Sequence, residues 1–232
     1  ARCARRGGGC LILPRRIAGL HEVMDDYDGV ILDLWGVVHN GYHPFPDAVG
    51  ALQSLRSRGK AIGLLSNAPR RCADVAAQLH HMGIDAQMYD ALLTSGEAVH
   101  RALSDELVMQ WGSRCYALGA AEGLRSGTGA RMVADISDAD FVLATSVPHG
   151  SLAANQTVLS QAAARRLPFV CANPDRVVYV GENLLVCPGT LADAYEKLGG
   201  EVHWFGKPYP AVYRSLLEEM QVRRVLAIGD GL

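Results

Sequence analysis

The chain has 232 residues, 49% of them hydrophobic and 20% charged, with a formal net charge of −2. At roughly 100–200 residues per domain, that length allows one large domain or two modest ones, with apolar residues enough for a sizeable core. The near-neutral balance excludes a dedicated nucleic-acid binder, which carries a basic surplus, and no apolar run approaches the ~18 residues that span a bilayer.

The first twenty residues hold Arg2, Arg5, Arg6, Arg15 and Arg16 and no acid, with Gly7-Gly8-Gly9 among them. They read as a disordered basic tail, because Leu11-Ile12-Leu13 is too short for the apolar region of a signal peptide. Asp28-Gly29 then leads into Val30-Ile31-Leu32, a continuous apolar run that ends at Asp33. Such a run predicts a strand buried on both faces. Val49, Leu52 and Leu55 recur at helical spacing over 48–58, and Gly59 stops that helix. The same reasoning gives a strand at 61–65 ending in Ser66-Asn67 and a helix at 71–81. A strand at 89–94 closes on Ser95-Gly96, and a helix follows at 97–107.

The middle repeats the alternation. Strands are predicted at 115–118, 141–144 and 168–172, with a helix at 159–165 and loops at 127–131 and 147–155. A hairpin over 177–186 turns at Gly181-Glu182-Asn183. A helix at 211–220 and a strand at 225–228 ending in Gly229-Asp230 resume the first pattern. Alternating strands and helices predict a doubly wound, parallel α/β core. On this reading the core spans 21–110 and 196–232, interrupted by a second α/β domain at 111–195. Cys3, Cys10, Cys72, Cys115, Cys171 and Cys187 form no C-x-x-C pair. They read as reduced, mostly buried thiols, which places the protein in the cytoplasm.

Three core strands end in polar residues, Asp33, Ser66 and Asp230. In open α/β sheets ligands bind beyond the carboxyl ends of the strands, where these three converge if the last strand returns beside the first. Two carboxylates and a hydroxyl at one crevice suit Mg²⁺ and a phosphate, since Mg²⁺ takes a few carboxylates plus substrate oxygens. Lys207, between Gly206 and Pro208, supplies a cation for the same crevice. Any one of these is as readily a cap or a solvated loop residue; the four in this order carry the reading.

That order resembles a known family. Asp33-Leu34-Trp35-Gly36-Val37-Val38, Leu65-Ser66-Asn67, Gly206-Lys207-Pro208 and Gly229-Asp230-Gly231 resemble motifs I to IV of the haloacid dehalogenase superfamily. The insertion resembles the class IIA cap of the NagD and p-nitrophenyl phosphatase branch, with Asn173-Pro174-Asp175 and Pro188-Gly189-Thr190 similar to segments of it. The string Leu34-Trp35-Gly36-Val37 followed by His39-Asn40-Gly41 is similar to a bacterial class IIA subgroup. The resemblance covers about residues 20–232.

It implies a Mg²⁺-dependent phosphatase with a Rossmann-like core, acting on a small phosphorylated metabolite. Asp33 would be the nucleophile that forms an aspartyl-phosphate. Ser66 and Asn67 would hold phosphoryl oxygens, and Lys207 would pair with Asp33 and the phosphate. Asp33, Asp230 and the backbone carbonyl of Trp35 would hold the metal. Gly36, Asn173 and Asp175 would lie against the substrate, the last two on the cap that excludes water. Two copies would pair through the cap.

Two departures stand out. The family carries a second aspartate two positions after the nucleophile, as general acid and base, where this chain has Trp35; such a group is worth ~10²–10⁴ in rate. The family also continues past motif IV with another acidic residue, a helix and a strand, so the core is expected to be truncated at its C-terminus.

Other signals carry less. Gly7-Gly8-Gly9 follows no strand, and Gly123-Leu124-Arg125-Ser126-Gly127-Thr128-Gly129-Ala130 lacks the Gly-Lys-Ser/Thr of a phosphate loop. His80 and His81, adjacent on a helix, do not share a face. His39 and His43 flank motif I and are candidates for substrate contact, while Trp111 and Trp204 are expected at the hinge. Two alternatives remain open: a metal-independent dehalogenase, whose relatives also carry an aromatic residue after the nucleophile, and a non-catalytic module that binds a phosphometabolite or a protein.

Overall fold

The computed structural model describes residues 15–180 and 183–230. Residues 1–14 of the expected basic tail lie outside them, while Arg15 pairs with Glu22 at 2.8 Å. The apolar run after Gly29 forms β1 (Gly29–Asp33), followed by α1 (Ala48–Ser57), β2 (Ala61–Ser66), α2 (Cys72–His81) and β3 (Ala91–Thr94). A long helix comes next: α3 (Ser95–Ala102) runs through a π-helical turn at Leu103–Leu107 into α4 (Val108–Trp111). It starts earlier than 97, because the Thr94 hydroxyl caps it by accepting the Glu97 N–H at 2.9 Å. It also ends later than 107.

The next elements are β4 (Arg114–Leu118), α5 (Glu122–Arg125), β5 (Arg131–Met132), β6 (Phe141–Ala144), α6 (Leu152–Ala164) and β7 (Phe169–Cys171). Here α6 begins inside the segment read as the loop 147–155. Ser151 caps it by accepting the Ala154 N–H at 3.3 Å, and the turn formers just before it mask that start. The predicted loop 127–131 likewise gives up Arg131 to β5. The hairpin is β8 (Val177–Val180) with β9 (Asn183–Val186), so Asn183 is a strand residue, and Gly181 and Glu182 lie outside the described residues. The chain continues with α7 (Pro188–Lys197), β10 (Val202–Trp204), α8 (Pro210–Met220) and β11 (Val225–Ile228).

Two parallel sheets result, in the orders β11-β1-β2-β3 and β10-β7-β6-β4-β5, while β8 and β9 pair antiparallel by themselves. In the first, α1 and α2 bring Leu52, Leu55, Val75 and Leu79 onto Val30, Leu32, Ile62 and Leu64. The opposite face, with Ile31, Leu65 and Leu93, is covered by Val212, Leu216 and Met220 of α8. Burying each such side chain is worth about 1.5–3 kcal/mol, so the sheet is held firmly between its two helix layers. Its register pairs Leu32 with Leu64 on one side and with Ile228 on the other. Asp33, Ser66 and Asp230 therefore leave the sheet at one edge.

The second sheet is also a three-layer unit. Leu159, Ala162, Leu191, Ala192 and Tyr195 from α6 and α7 cover one face, and Val99, Leu103 and Leu107 cover the other. The helix that begins at Ser95 thus packs on the second sheet, because α8 already occupies the corresponding face of the first. With β10 as an edge strand, this unit takes in residues on both sides of the expected 111–195 interval. Cys72, Cys115, Cys171 and Cys187 are free thiols, and burial pushes Cys115 and Cys171 up to about 12. No helix among the described residues is long and apolar enough to cross a membrane.

Candidate active site

The edge where β1, β2 and β11 end opens into a cleft of about 910 Å³ between the two units. Asp33, Trp35, Ser66, Asn67, Asn173, Asp175, Lys207 and Asp230 all line it. At the end of β1, Asp33 Oδ1 accepts the Leu34 N–H at 2.7 Å and Oδ2 meets Lys207 Nζ at 2.5 Å. Burial raises the Asp33 carboxyl above its ordinary range, Lys207 pulls it back down, and the neighbouring charge of Asp230 raises it further. A carboxylate in that position is stabilised by added positive charge.

Lys207 is aimed by its own backbone. Its N–H donates to Asn67 Oδ1 at 2.7 Å, and its carbonyl accepts from Asn67 Nδ2 at 3.2 Å. The same Nδ2 donates to Asp175 Oδ1 at 2.8 Å, and the Asp175 N–H donates to Asn173 Oδ1 at 2.9 Å. The Asn67 side chain is thereby committed to Lys207 and Asp175, and its side-chain amide is not free for a phosphoryl oxygen as expected. Asp175 faces Asn67 in the same network. Ser66 is buried at the floor of the cleft, its hydroxyl accepting the Ala68 N–H at 3.2 Å.

Gly36 does not line the cleft but shapes it. Its φ is +77°, a region that disfavours any side chain, and a Cβ there would overlap the Asp230 carboxylate. Only glycine lets Asp230 lie that close to the motif I loop. The ring of Trp35 packs over Gly41, where a Cβ would collide with it, and meets His39 edge-on at 5.6 Å. His39 itself is buried, with Nδ1 accepting the Gly41 N–H at 3.0 Å, and neither His39 nor His43 lines the cleft. Trp204 stacks on Tyr209 at 5.4 Å where the chain crosses between units, whereas Trp111 packs on Phe141 and His203 within the second.

Among the described residues, no three His, Cys, Asp or Glu side chains gather as a metal centre. The candidate donor set is two carboxylates, Asp33 and Asp230, with the carbonyl of Trp35, which accepts no hydrogen bond among the described residues. Hard oxygens in small number fit a cation that keeps water and substrate oxygens in its shell. Sequence reasoning passed over Arg70, Gln78, Val177 and Tyr213, which also line the cleft. The available signal was Pro69-Arg70-Arg71, one residue beyond the second motif.

A two-lobed α/β fold with an acid–lysine pair at the strand ends is the architecture of a hydrolase family. Residues 30–128 match the family model of haloacid dehalogenase-like hydrolases. Bovine chronophin is 30% identical over the whole of this chain and 81% of its own length. A haloacid dehalogenase-like hydrolase from Brucella suis has 33% identity and a TM-score of 0.83, over 94% of this chain and 82% of that one. The glycerol phosphate phosphatase of Mycobacterium tuberculosis, solved in complex with magnesium, has 27% identity and a TM-score of 0.68, over 90% of this chain and 63% of that one. The chain belongs to the haloacid dehalogenase-like hydrolases.

Proposed function

We propose that the chain is a Mg²⁺-dependent phosphatase of a small phosphorylated metabolite, with Asp33 as its covalent nucleophile. The carrying observation is the Asp33–Lys207 pair at 2.5 Å, set in a cleft that Ser66 and Asp230 share. The magnesium-bound relative supports the choice of metal, which Asp33, Asp230 and the Trp35 carbonyl would hold. When bound, Mg²⁺ supplies charge that offsets the phosphoryl oxygens.

Asp33 Oδ attacks phosphorus, the P–O bond to the leaving group breaks, and that group departs with the electron pair. The Lys207 ammonium and the Ser66 hydroxyl hold the phosphoryl oxygens, while Asn67 keeps Lys207 in line. Water then attacks phosphorus and the P–Oδ bond breaks, which regenerates the carboxylate. The indole N–H of Trp35 is far too weak an acid to protonate the leaving group. The reading therefore favours acyl, enol and aryl phosphates, whose leaving groups are stable as anions, over alkyl phosphates.

Two companion proposals concern the setting. Val177, Tyr179, Leu184 and Leu185 expose apolar surface on the β8–β9 hairpin, which supports pairing of two copies through the cap. The free thiols support a cytoplasmic site of action. Phosphate release from acetyl phosphate and p-nitrophenyl phosphate, with and without Mg²⁺, tests the function. Metal-dependent release that disappears in Asp33→Asn is expected. Release that persists in that variant, or metal-independent halide release from 2-chloropropionate, would overturn it.

A further inference from the structure

We infer that Arg70 is a specificity-determining residue, and that the cleft takes a phosphorylated molecule carrying a second anionic group, a carboxylate or another phosphate. The inference rests on the phosphatase reading and names the substrate class for that same site.

The cleft has two side-chain cations, Lys207 and Arg70, and their situations differ. Lys207 is neutralised by Asp33. Arg71, next in sequence, leaves the cleft to Glu97, which it grips with Nε at 2.8 Å and Nη2 at 3.2 Å. Arg70 has no carboxylate within ion-pair distance among the described residues. Its guanidinium instead donates to the neutral Oε1 of Gln78, whose Nε2 donates to the Gly41 carbonyl at 3.0 Å. The support holds the fork in place without cancelling its charge.

The backbone beneath is fixed too, since the Thr94 hydroxyl donates to the Arg70 carbonyl at 2.5 Å. Ordering a free arginine costs rotamer entropy, and part of that cost is met before any ligand arrives. Burial and then the charge of Arg70 both depress the basicity of His39, so this field reaches the motif I loop. An unpaired, anchored guanidinium in a cleft that also holds Asp33, Asp175 and Asp230 is a bidentate socket for carboxylate or phosphate. Trp35, which also lines the cleft, packs on Gly41, the residue whose carbonyl anchors Gln78.

The test uses three aryl phosphates of one leaving-group class: phenyl phosphate, 4-carboxyphenyl phosphate and 1,4-phenylene bisphosphate. Wild type is expected to favour at least one of the two probes that carry a second anionic group over phenyl phosphate by about tenfold or more in kcat/KM. The preferred probe tells carboxylate from phosphate. Arg70→Gln should remove most of that preference through KM, and Arg70→Lys should restore part of it. Turnover of all three probes without preference, or a preference unchanged in Arg70→Gln, overturns the inference and leaves the phosphatase reading standing. Failure to hydrolyse any of them overturns both.

Discussion

Asn67 of the first unit donates its side-chain amide to Asp175 of the second at 2.8 Å, and this contact joins residues 108 apart in sequence. The other end of the Asn67 amide holds the Lys207 N–H at 2.7 Å. Seating the second unit on the first and aiming the lysine are thus parts of one network. Asp175→Ala removes an acceptor for a buried amide, a change worth about 1–2 kcal/mol. It should lower kcat/KM by roughly tenfold, with Asp175→Asn recovering much of the loss because the acceptor oxygen returns. Steady-state kinetics on acetyl phosphate checks this.

Gly36 offers a sharper perturbation. Alanine there must adopt φ near +77° and push aside the Asp230 carboxylate. The backbone cost is about 1–2 kcal/mol. The larger effect should fall on the metal, with Mg²⁺ affinity weakened about tenfold or more. Calorimetric titration with Mg²⁺ reads it directly, and thermal denaturation separates it from unfolding.

Glu97 ties the long helix to the second-motif loop through Arg71, with a further contact to the Cys72 N–H at 3.1 Å. Burial raises its carboxyl, but the hydrogen bonds and charge of Arg71 outweigh that, and the net shift is below the ordinary 4.5. A depressed carboxyl stabilises the folded chain above its unfolded value and loses that contribution as pH falls through the folded one. Glu97→Gln should therefore cost about 2 kcal/mol near neutral pH. The gap to wild type should narrow as pH falls below the ordinary 4.5 and through the lower folded-state value, as urea denaturation across the acid range would show.

Trp35→Asp tests whether an acid two positions after Asp33 can serve the leaving group. The substituted carboxyl can protonate a departing alkoxide, so turnover of alkyl phosphates should rise relative to acetyl phosphate by ~10²-fold. Equal gains on both substrates would place the effect in binding instead.

Strands were legible where burial on both faces produces an unbroken apolar run. The expected 141–144 and 225–228 coincide with β6 and β11. Helix α7 was missed because Pro188-Gly189 reads as a loop signal, although proline is well tolerated in a first helical turn. The stripe Val99, Leu103 and Leu107 announces a helix face but not which sheet it covers, and the later α8 settles that. Among the site residues, strand ends located Asp33, Ser66 and Asp230. The engagement of Asn67 and the contrast between Arg70 and Arg71 depend on partners distant in sequence, which no local pattern encodes.

A covalent phosphoryl bond at Asp33 can be trapped and located directly. Borohydride reduction of enzyme quenched during turnover of acetyl phosphate converts an aspartyl-phosphate to homoserine, which peptide mass spectrometry locates. Homoserine is expected at position 33, dependent on both Mg²⁺ and substrate. Vigorous turnover with residue 33 recovered only as unmodified aspartate would contradict it.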